Sequence, residues 1–237
     1  SIMGEPGQSP SRIGVSIIDI STGMWAAIGI LAALQQRSRT GEGCVVDTSL
    51  FESALTWMGT PIASYLASGN VPGPVGSGSP MIAPYQAFAT KDGYLMILAG
   101  NDLLFRKTCQ ALDMPYLAED IRFRTNGQRV ARRDELIPLI EDRTQREESA
   151  SLAAKLDAVG VPNGPILSVD QVVAAAQTDA LSILQHSPDG KLRLMGMPLS
   201  FDGQRPQFLK RAPKLGADNH ILDGNNPARQ MAGAPGA

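Results

Sequence analysis

Asp19 is the residue with the clearest potential for chemistry, because it is the only charged side chain in a long apolar stretch. The segment Met24–Leu34 that follows it is apolar on every face, which predicts a helix buried on all sides. Asp19 would lie at the positive end of that helix, where backbone N–H groups favour the carboxylate anion while burial among neighbouring isoleucines disfavours it. We therefore expect an ionised, poorly hydrated and reactive carboxylate.

The same residues also fit a simpler role for Asp19. An acidic side chain at a helix start is most often an ordinary N-cap, which contributes about 1 kcal/mol. Ser21 and Thr22 are competing caps, and Gly14–Ile18 is predicted to be a short strand that leads into the helix. The helix should end at Arg37–Gly41, because cations suit its negative end and glycine suits the left-handed cap.

Gly76 and Gly78 form the second candidate site, in the run Gly-Ser-Gly-Ser-Pro. Glycine allows backbone N–H groups to approach an oxyanion or to cover a reaction intermediate. The alternative is a flexible linker between two domains.

An arginine cluster is a third candidate, since guanidinium groups bind phosphates well. Acidic residues flank the cluster, however, and a solvated charged face explains it equally simply. The cluster consists of Arg122, Arg124, Arg129, Arg132 and Arg133.

The two histidines, His186 and His220, form no Ser/His/Asp set, and the cysteines Cys44 and Cys109 have no metal-binding spacing.

The composition is that of a soluble globular protein, with 43% hydrophobic residues in a chain of 237. With 21 basic and 23 acidic residues, a nucleic-acid partner is not expected. The longest apolar run is about half of the roughly 20 residues that span a bilayer, so no membrane partner is expected either. The absence of a secretory signal and the scarcity of cysteine make the cytoplasm the expected compartment.

The local patterns divide the chain into segments. Residues 1–75 carry Asp19 and its helix, 76–84 form a glycine-containing linker loop, and 85–180 form a small α+β domain that opens with a hairpin at Lys91-Asp92-Gly93. Residues 224–237 predict a disordered tail. Two further strands are expected, at Cys44–Asp47 and Ile166–Leu167, with extended structure over 190–202. A helix is expected over Asp134–Arg143, with Leu136, Ile137, Leu139 and Ile140 inward. Other helices are expected to start at Ser49, at Asn101 or Asp102, at Thr144 and at Ser168.

A set of motifs along the chain resembles the family III CoA-transferases, which include the formyl-CoA and carnitine CoA-transferases and the related 2-methylacyl-CoA racemases. The resemblance covers most of residues 12–222. The motifs are Asp19-x-x-Thr22-Gly23-Met24, Arg37-x-Arg39-Thr40-Gly41-x-Gly43, Val46–Leu50, Ala83-Pro84-Tyr85-x-x-Phe88-x-Thr90-x-Asp92-Gly93, Gly160-Val161-Pro162-x-x-Pro165 and Ala212-Pro213-x-Leu215-Gly216.

This resemblance implies an α/β fold in which the chain is the carboxyl part of a longer protein. A partial Rossmann-like large domain would carry Asp19, a smaller α+β domain would follow, and 181–223 would return to the large domain. The resemblance also implies an interlocked homodimer. Its glycine-containing loop near the active site corresponds to Gly76 and Gly78, although the formyl-CoA transferases have a longer glycine string.

The activity that the resemblance implies is transfer of CoA from an acyl-CoA to a free carboxylic acid. Asp19 would be the nucleophile, through an aspartyl-acyl anhydride and an aspartyl-CoA thioester. No metal or redox cofactor is implied, since the CoA thioester is a substrate. Two alternatives stay open: a racemase that uses Asp19 as an acid/base, and a truncated chain without catalysis.

Overall fold

The structure is a computed structural model that describes residues 1–221. The predicted tail at 224–237 lies outside the described residues. The chain divides into two compact units, Ser1–Ile166 and a second that begins at Leu167. The predicted boundaries of the small domain at 85 and 180 do not coincide with this division and stay predictions.

Three helices precede the sheet of the first unit: α1 (Ile17–Thr40), α2 (Leu50–Trp57) and α3 (Gly59–Ser68). The predicted end of α1 is confirmed, because Gly41 adopts the left-handed conformation with φ 77°. The strand predicted at Gly14–Ile18 is wrong, since the helix already begins at Ile17. The strand predicted at Cys44–Asp47 is also wrong, because that segment pairs with no strand among residues 1–221.

The prediction that α1 is buried on all sides is wrong for the described chain. Ser21 is its one buried residue, whereas Ile20, Met24 and Leu31 each expose 60% or more of their surface. The cause is a lack of packing partners, because α1 makes its main helix contact with the short helix α2 alone. α1 is also long and apolar enough to cross a membrane, so the sequence argument that no segment has the length to span a bilayer is wrong. A core helix of a soluble protein has the same length and composition.

A three-stranded antiparallel sheet organises the rest of the first unit. β1 (Tyr85–Thr90) and β2 (Gly93–Leu98) form the predicted hairpin around Lys91-Asp92, and β3 (Asn163–Pro165) pairs with β2. The strand predicted at Ile166–Leu167 therefore lies slightly earlier in the chain. Phe88, Leu95 and Ile97 point to one face of the sheet and are fully buried.

Five helices and one 3₁₀ turn lie between β2 and β3 along the chain. The buried cluster takes its side chains from residues 88–161, so the hydrophobic core of this unit belongs to the sheet and these helices. Asn101 caps the first of them through its side chain, so of the two predicted candidates, Asn101 and Asp102, the first is the cap. The helices are α4 (Asp102–Ala111), α5 (Pro115–Glu119), α6 (Asn126–Ala131), α7 (Arg133–Thr144) and α8 (Ser149–Ala158), with the 3₁₀ turn at Ile121–Phe123.

Two local predictions in this region are wrong. Thr144 does not start a helix: it ends α7, and its hydroxyl donates to the carbonyl oxygen of Ala89 at 2.8 Å. This contact with β1 outweighs the capping-box pattern, and α8 begins only at Ser149. Leu139 is exposed, unlike Leu136 and Ile140, because it lies on the outer face of α7.

The second unit contains α9 (Val169–Ala174), α10 (Ala176–Ala180) and the antiparallel pair β4 (Leu184–His186) and β5 (Arg193–Met195). The predicted helix start at Ser168 is confirmed, and the backbone N–H of Ser168 donates to Gln171 Oε1 at 2.9 Å. Of the extended structure predicted over 190–202, only β5 forms a strand within the described residues.

Candidate functional site

Asp19 lies in the first turn of α1, at the end of the helix where the sequence placed it. Its carboxylate therefore belongs to the turn whose backbone N–H groups have no partner inside the helix. The side chain is exposed, however, so the expectation of a poorly hydrated carboxylate is not met in the described chain. Neither Ser21 nor Thr22 caps the helix, because the N-cap is Ser16, which makes no side-chain cap hydrogen bond.

Two side-chain hydrogen bonds attach this turn of α1 to α2. Trp57 Nε1 donates to Ser21 Oγ at 2.9 Å, and Thr22 Oγ1 lies 2.8 Å from Ser53 Oγ. Ser21 and Ser53 are both buried. The sequence interpretation missed Ser53 and Trp57, although their spacing of four residues places them on one face of α2. The two bonds hold the backbone around Asp19 in a defined position.

A cavity of about 350 Å³ lies beside this contact, between α1, α2 and the segment 46–48. Gly29 allows the close approach of that segment, because a Cβ at this position would be 2.7 Å from Val46 Cγ1. Asp47 and Glu52 make the rim acidic. Asp19 is not among the residues that line this cavity.

Gly76 and Gly78 lie in one loop that packs against the start of the chain. Gly76 has φ +62° and donates its N–H to the carbonyl oxygen of Gly4 at 3.0 Å. The N–H of Gly78 donates to the carbonyl oxygen of Val75 at 3.0 Å. Both N–H groups are therefore occupied in this conformation, and a role in binding an oxyanion would require the loop to rearrange. Their role in substrate binding stays a prediction.

Two groups of opposite charge touch this loop. A Cβ on Gly76 would lie 2.6 Å from Glu5 Oε1, and a Cβ on Gly78 would lie 2.9 Å from Arg133 Nη1. Arg133 Nη2 also donates to the carbonyl oxygen of Ser79 at 2.6 Å. Among residues 1–221, no carboxylate lies within ion-pair distance of Arg133.

The arginine cluster does not form one phosphate-binding patch. Arg129 is fully buried, where it binds the carbonyl oxygen of Ala83 at 2.6 Å and Asp102 at 2.8 Å and lies over the ring of Phe105. Arg122 pairs with Asp120 and Glu135, and the Asp120 hydrogen bond raises the pKa of Arg122. Arg129 therefore has a structural role. The sequence did not indicate this role, because Arg129 stands among other charged residues.

No group of three or more His, Cys, Asp or Glu residues that could hold a metal ion occurs within residues 1–221. The expected independence from a metal stays a prediction. Cys44 is exposed and Cys109 is buried, and burial raises the pKa of the Cys109 thiol to about 12. Cys109 is therefore an inert core residue at neutral pH.

Comparison with known proteins identifies relatives over most of the chain. A family model described as CoA-transferase family III matches residues 1–219. The chain is 35% identical to the succinyl-CoA:glutarate CoA-transferase of Mus musculus over 93% of its own length and 52% of that protein, and 33% identical to the acetyl-CoA:oxalate CoA-transferase of Acetobacter aceti over 90% and 54%. It thus spans about half the length of the curated relatives it matches.

A solved structure shares the fold. The crystal structure of a CaiB/BaiF family protein from Brucella suis superimposes with a TM-score of 0.76 at 38% sequence identity, over 94% of this chain and 59% of that one. The α/β fold class expected from the sequence is confirmed by this similarity. The described chain corresponds to part of the family fold, and its residues 1–84 contain helices but no strand.

Proposed function

Because the chain belongs to CoA-transferase family III, we propose that it is part of an enzyme that moves CoA between an acyl-CoA and a free carboxylic acid, with Asp19 as the nucleophile. The observation that carries this proposal is the position of Asp19. It lies in the first turn of α1, in a chain whose curated relatives are named as CoA-transferases.

The proposed reaction begins when the Asp19 carboxylate attacks the thioester carbonyl of the donor. The C–S bond breaks, CoA leaves as a thiolate, and a mixed anhydride forms on Asp19. The thiolate then attacks the aspartyl carbonyl, which releases the donor acid and leaves an aspartyl-CoA thioester. An acceptor carboxylate attacks that thioester, the C–S bond breaks, and a second anhydride forms between Asp19 and the acceptor. The thiolate then attacks the acceptor's carbonyl in this anhydride, which gives the new acyl-CoA and frees the Asp19 carboxylate. Atoms and electrons balance without an oxidant or a metal.

The exposure of Asp19 must be reconciled with this chemistry, because water would hydrolyse the anhydride. α1 exposes large apolar side chains along its length, including Ile20, Met24, Ile28 and Leu31. Exposed apolar surface on this scale is typical of a protein interface. We propose that further protein, either more of the same polypeptide or a second copy, covers α1 and excludes water from Asp19.

The proposed substrates are dicarboxylic acids. The relatives are named for glutarate, oxalate, D-citramalate and mesaconate, each of which carries two carboxylates. One carboxylate would receive the CoA, and the protein would have to bind the other. We propose that the loop with Gly76 and Gly78 contributes to the substrate site.

Three further properties belong to the same proposal. The active enzyme is an interlocked homodimer, it works in the cytoplasm, and it uses no metal or redox cofactor. Support for the dimer comes from the exposed apolar surface of α1, which two copies could bury together.

The proposal is tested by trapping the intermediate. The protein is incubated with succinyl-CoA, glutarate and hydroxylamine, digested with trypsin and examined by mass spectrometry. Asp19 is the only carboxylate side chain in the tryptic peptide 13–37, so a hydroxamate or a CoA adduct on this peptide is assigned without ambiguity. We expect the adduct only when the thioester is present.

Asp19→Asn should abolish both the adduct and CoA transfer, whereas the control Asp179→Asn, at an exposed carboxylate of α10, should keep both. Exchange of the α-proton of a 2-methylacyl-CoA with solvent, without any adduct on peptide 13–37, would instead indicate a racemase and would refute the transferase.

A further inference from the structure

We propose that Arg133 and the Gly78 position form the binding site for the second carboxylate of a dicarboxylic acid substrate. This inference rests on the proposed function for the identity of the ligand. The binding site itself is inferred from the geometry of Arg133, which lies at the start of α7 and reaches back to the glycine-containing loop.

Most of the hydrogen-bonding capacity of Arg133 is unused. A guanidinium has five N–H donors, and one of them binds the carbonyl oxygen of Ser79 at 2.6 Å. Within residues 1–221, no other hydrogen bond or ion pair of this side chain is formed, although the residue is half-buried. A partly desolvated cation without a counter-ion favours an anion, and the planar fork fits a carboxylate through two parallel bonds.

The guanidinium of Arg133 occupies the space where a side chain at position 78 would begin. A Cβ there would lie 2.9 Å from Arg133 Nη1, a distance that real side chains avoid. The φ angle of Gly78 is not positive, so its backbone does not require glycine. A side chain at this position would therefore have to displace the end of the Arg133 side chain, and it would lie 3.0 Å from the carbonyl oxygen of Val75.

The charges around Arg133 favour binding of the substrate's second carboxylate beside Gly78 rather than in the neighbouring cavity. The adjoining cavity of about 570 Å³ is lined by Glu5 and Glu141, which would repel a carboxylate inside it. Glu135, two residues after Arg133, is already paired with Arg122 at 2.7 Å. Asp134 is exposed and makes no ion pair among the described residues, so it leaves the charge of Arg133 unneutralised.

The first test measures ligand binding without turnover. Glutarate, its monoamide glutaramate, and pentanoate are titrated into the isotopically labelled chain, and the amide signal of Gly78 and the Nε–H signal of Arg133 are followed by NMR. We expect glutarate to shift both signals and to bind about tenfold more tightly than the other two acids, because a charge-assisted pair of hydrogen bonds is lost in each of them.

Arg133→Met should remove this preference, so that glutarate, glutaramate and pentanoate bind alike. Arg133→Lys should restore part of it, since the charge returns without the fork. The matched control Arg132→Met removes the same charge from an exposed neighbour and should keep the preference. A role of Arg133 in loop structure alone would weaken all three acids equally, and that result would overturn the inference.

Gly78→Ala provides an independent test through a double-mutant cycle. The added methyl should displace the guanidinium and weaken glutarate binding several-fold, but it should have little further effect in Arg133→Met. Strain against Val75 acts in both backgrounds and cancels in the comparison. Additive effects of the two substitutions would refute the coupling of Gly78 and Arg133.

The two proposals can fail separately. An Asp19 adduct formed with glutarate, together with an unchanged acid preference in Arg133→Met, would refute this inference alone. Glutarate binding at Gly78 without any adduct on Asp19 would refute the proposed nucleophile alone.

Discussion

Trp57 Nε1 donates a 2.9 Å hydrogen bond to Ser21 Oγ, which joins two helices across 36 residues of sequence and lies two residues from Asp19. Ser21 is the one buried residue of α1, and its hydroxyl also donates to the carbonyl oxygen of Ile18. The position of the Asp19 carboxylate thus depends on a contact with α2.

Trp57→Phe should loosen the first turns of α1, because it removes the indole donor and leaves Ser21 Oγ without that partner. The expected loss is about 1 kcal/mol of local stability. Hydrogen–deuterium exchange of the amides in α1 would detect it as roughly fivefold faster exchange. Trp25→Phe is a matched control, because Trp25 is the only other tryptophan and makes no side-chain hydrogen bond within residues 1–221. Equal exchange in both variants would contradict the prediction.

Arg129→Met should unfold the first unit at a much lower urea concentration. The substitution leaves the carbonyl oxygens of Ala83 and Phe123 without their donor and Asp102 without its partner. The Asp102 side chain is 44% exposed and can be hydrated, so the main loss is at the two buried carbonyl oxygens, at about 1–3 kcal/mol for each one left without a donor. Far-UV circular dichroism gives the midpoint. Arg124→Met, at an exposed position, should change the free energy of unfolding by less than about 0.5 kcal/mol.

Glu147 should make the stability of the first unit depend on pH in the acid range. Hydrogen bonds from Ser151, and then from Lys155 and Arg143, lower the pKa of this carboxyl from 4.5 to about 2. A lowered folded-state pKa means that the stabilisation is fully present above pH 4.5 and is lost as the pH falls toward about 2.

Urea unfolding at several pH values between those limits would measure this loss. Glu147→Gln should flatten the curve, whereas Glu148→Gln should not, because Glu148 is exposed and its contact with Lys91 is long, at 3.7 Å. A curve that Glu147→Gln leaves unchanged would show that another group is responsible.

Cys44 and Cys109 should differ sharply in reactivity. The thiolate is the reactive form, and burial raises the pKa of Cys109 to about 12, so at pH 8 almost none of it is ionised. Iodoacetamide should therefore modify only the exposed Cys44 in the folded protein and both cysteines in urea. Mass spectrometry of Cys44→Ser should then show no fast modification. Rapid labelling of Cys109 in the folded state would contradict its burial.

Features set by a few adjacent residues were predictable from the sequence. The hairpin at Lys91-Asp92, the helix start at Asn101 or Asp102 and the helix start at Ser168 each depend on short-range geometry, and all three are confirmed, with Asn101 as the cap. Thr144 shows the limit of such patterns, because its hydroxyl binds Ala89, which is 55 residues away. No local signal reveals a contact of that kind.

The candidate site was predictable only in part, because its local features depend on adjacent residues whereas its surroundings depend on distant ones. The apolar character and the ends of α1 placed Asp19 in its first turn, but composition alone could not show whether other protein covers the helix. Arg129 and Arg133 stand in the same charged run, yet one is buried in the core and the other reaches the glycine-containing loop. Distinguishing them required the positions of the segments they contact.

The buried cluster takes its side chains from residues 88–161, far along the chain from Asp19. A melting temperature measured on this protein will therefore report mainly on the sheet and its covering helices. A variant could lose the geometry around Asp19 while its calorimetric trace looks like that of the wild type. Screens for inhibitors or for damaging substitutions should accordingly read out α1 itself, since thermal shift would overlook the region where we expect the chemistry to take place.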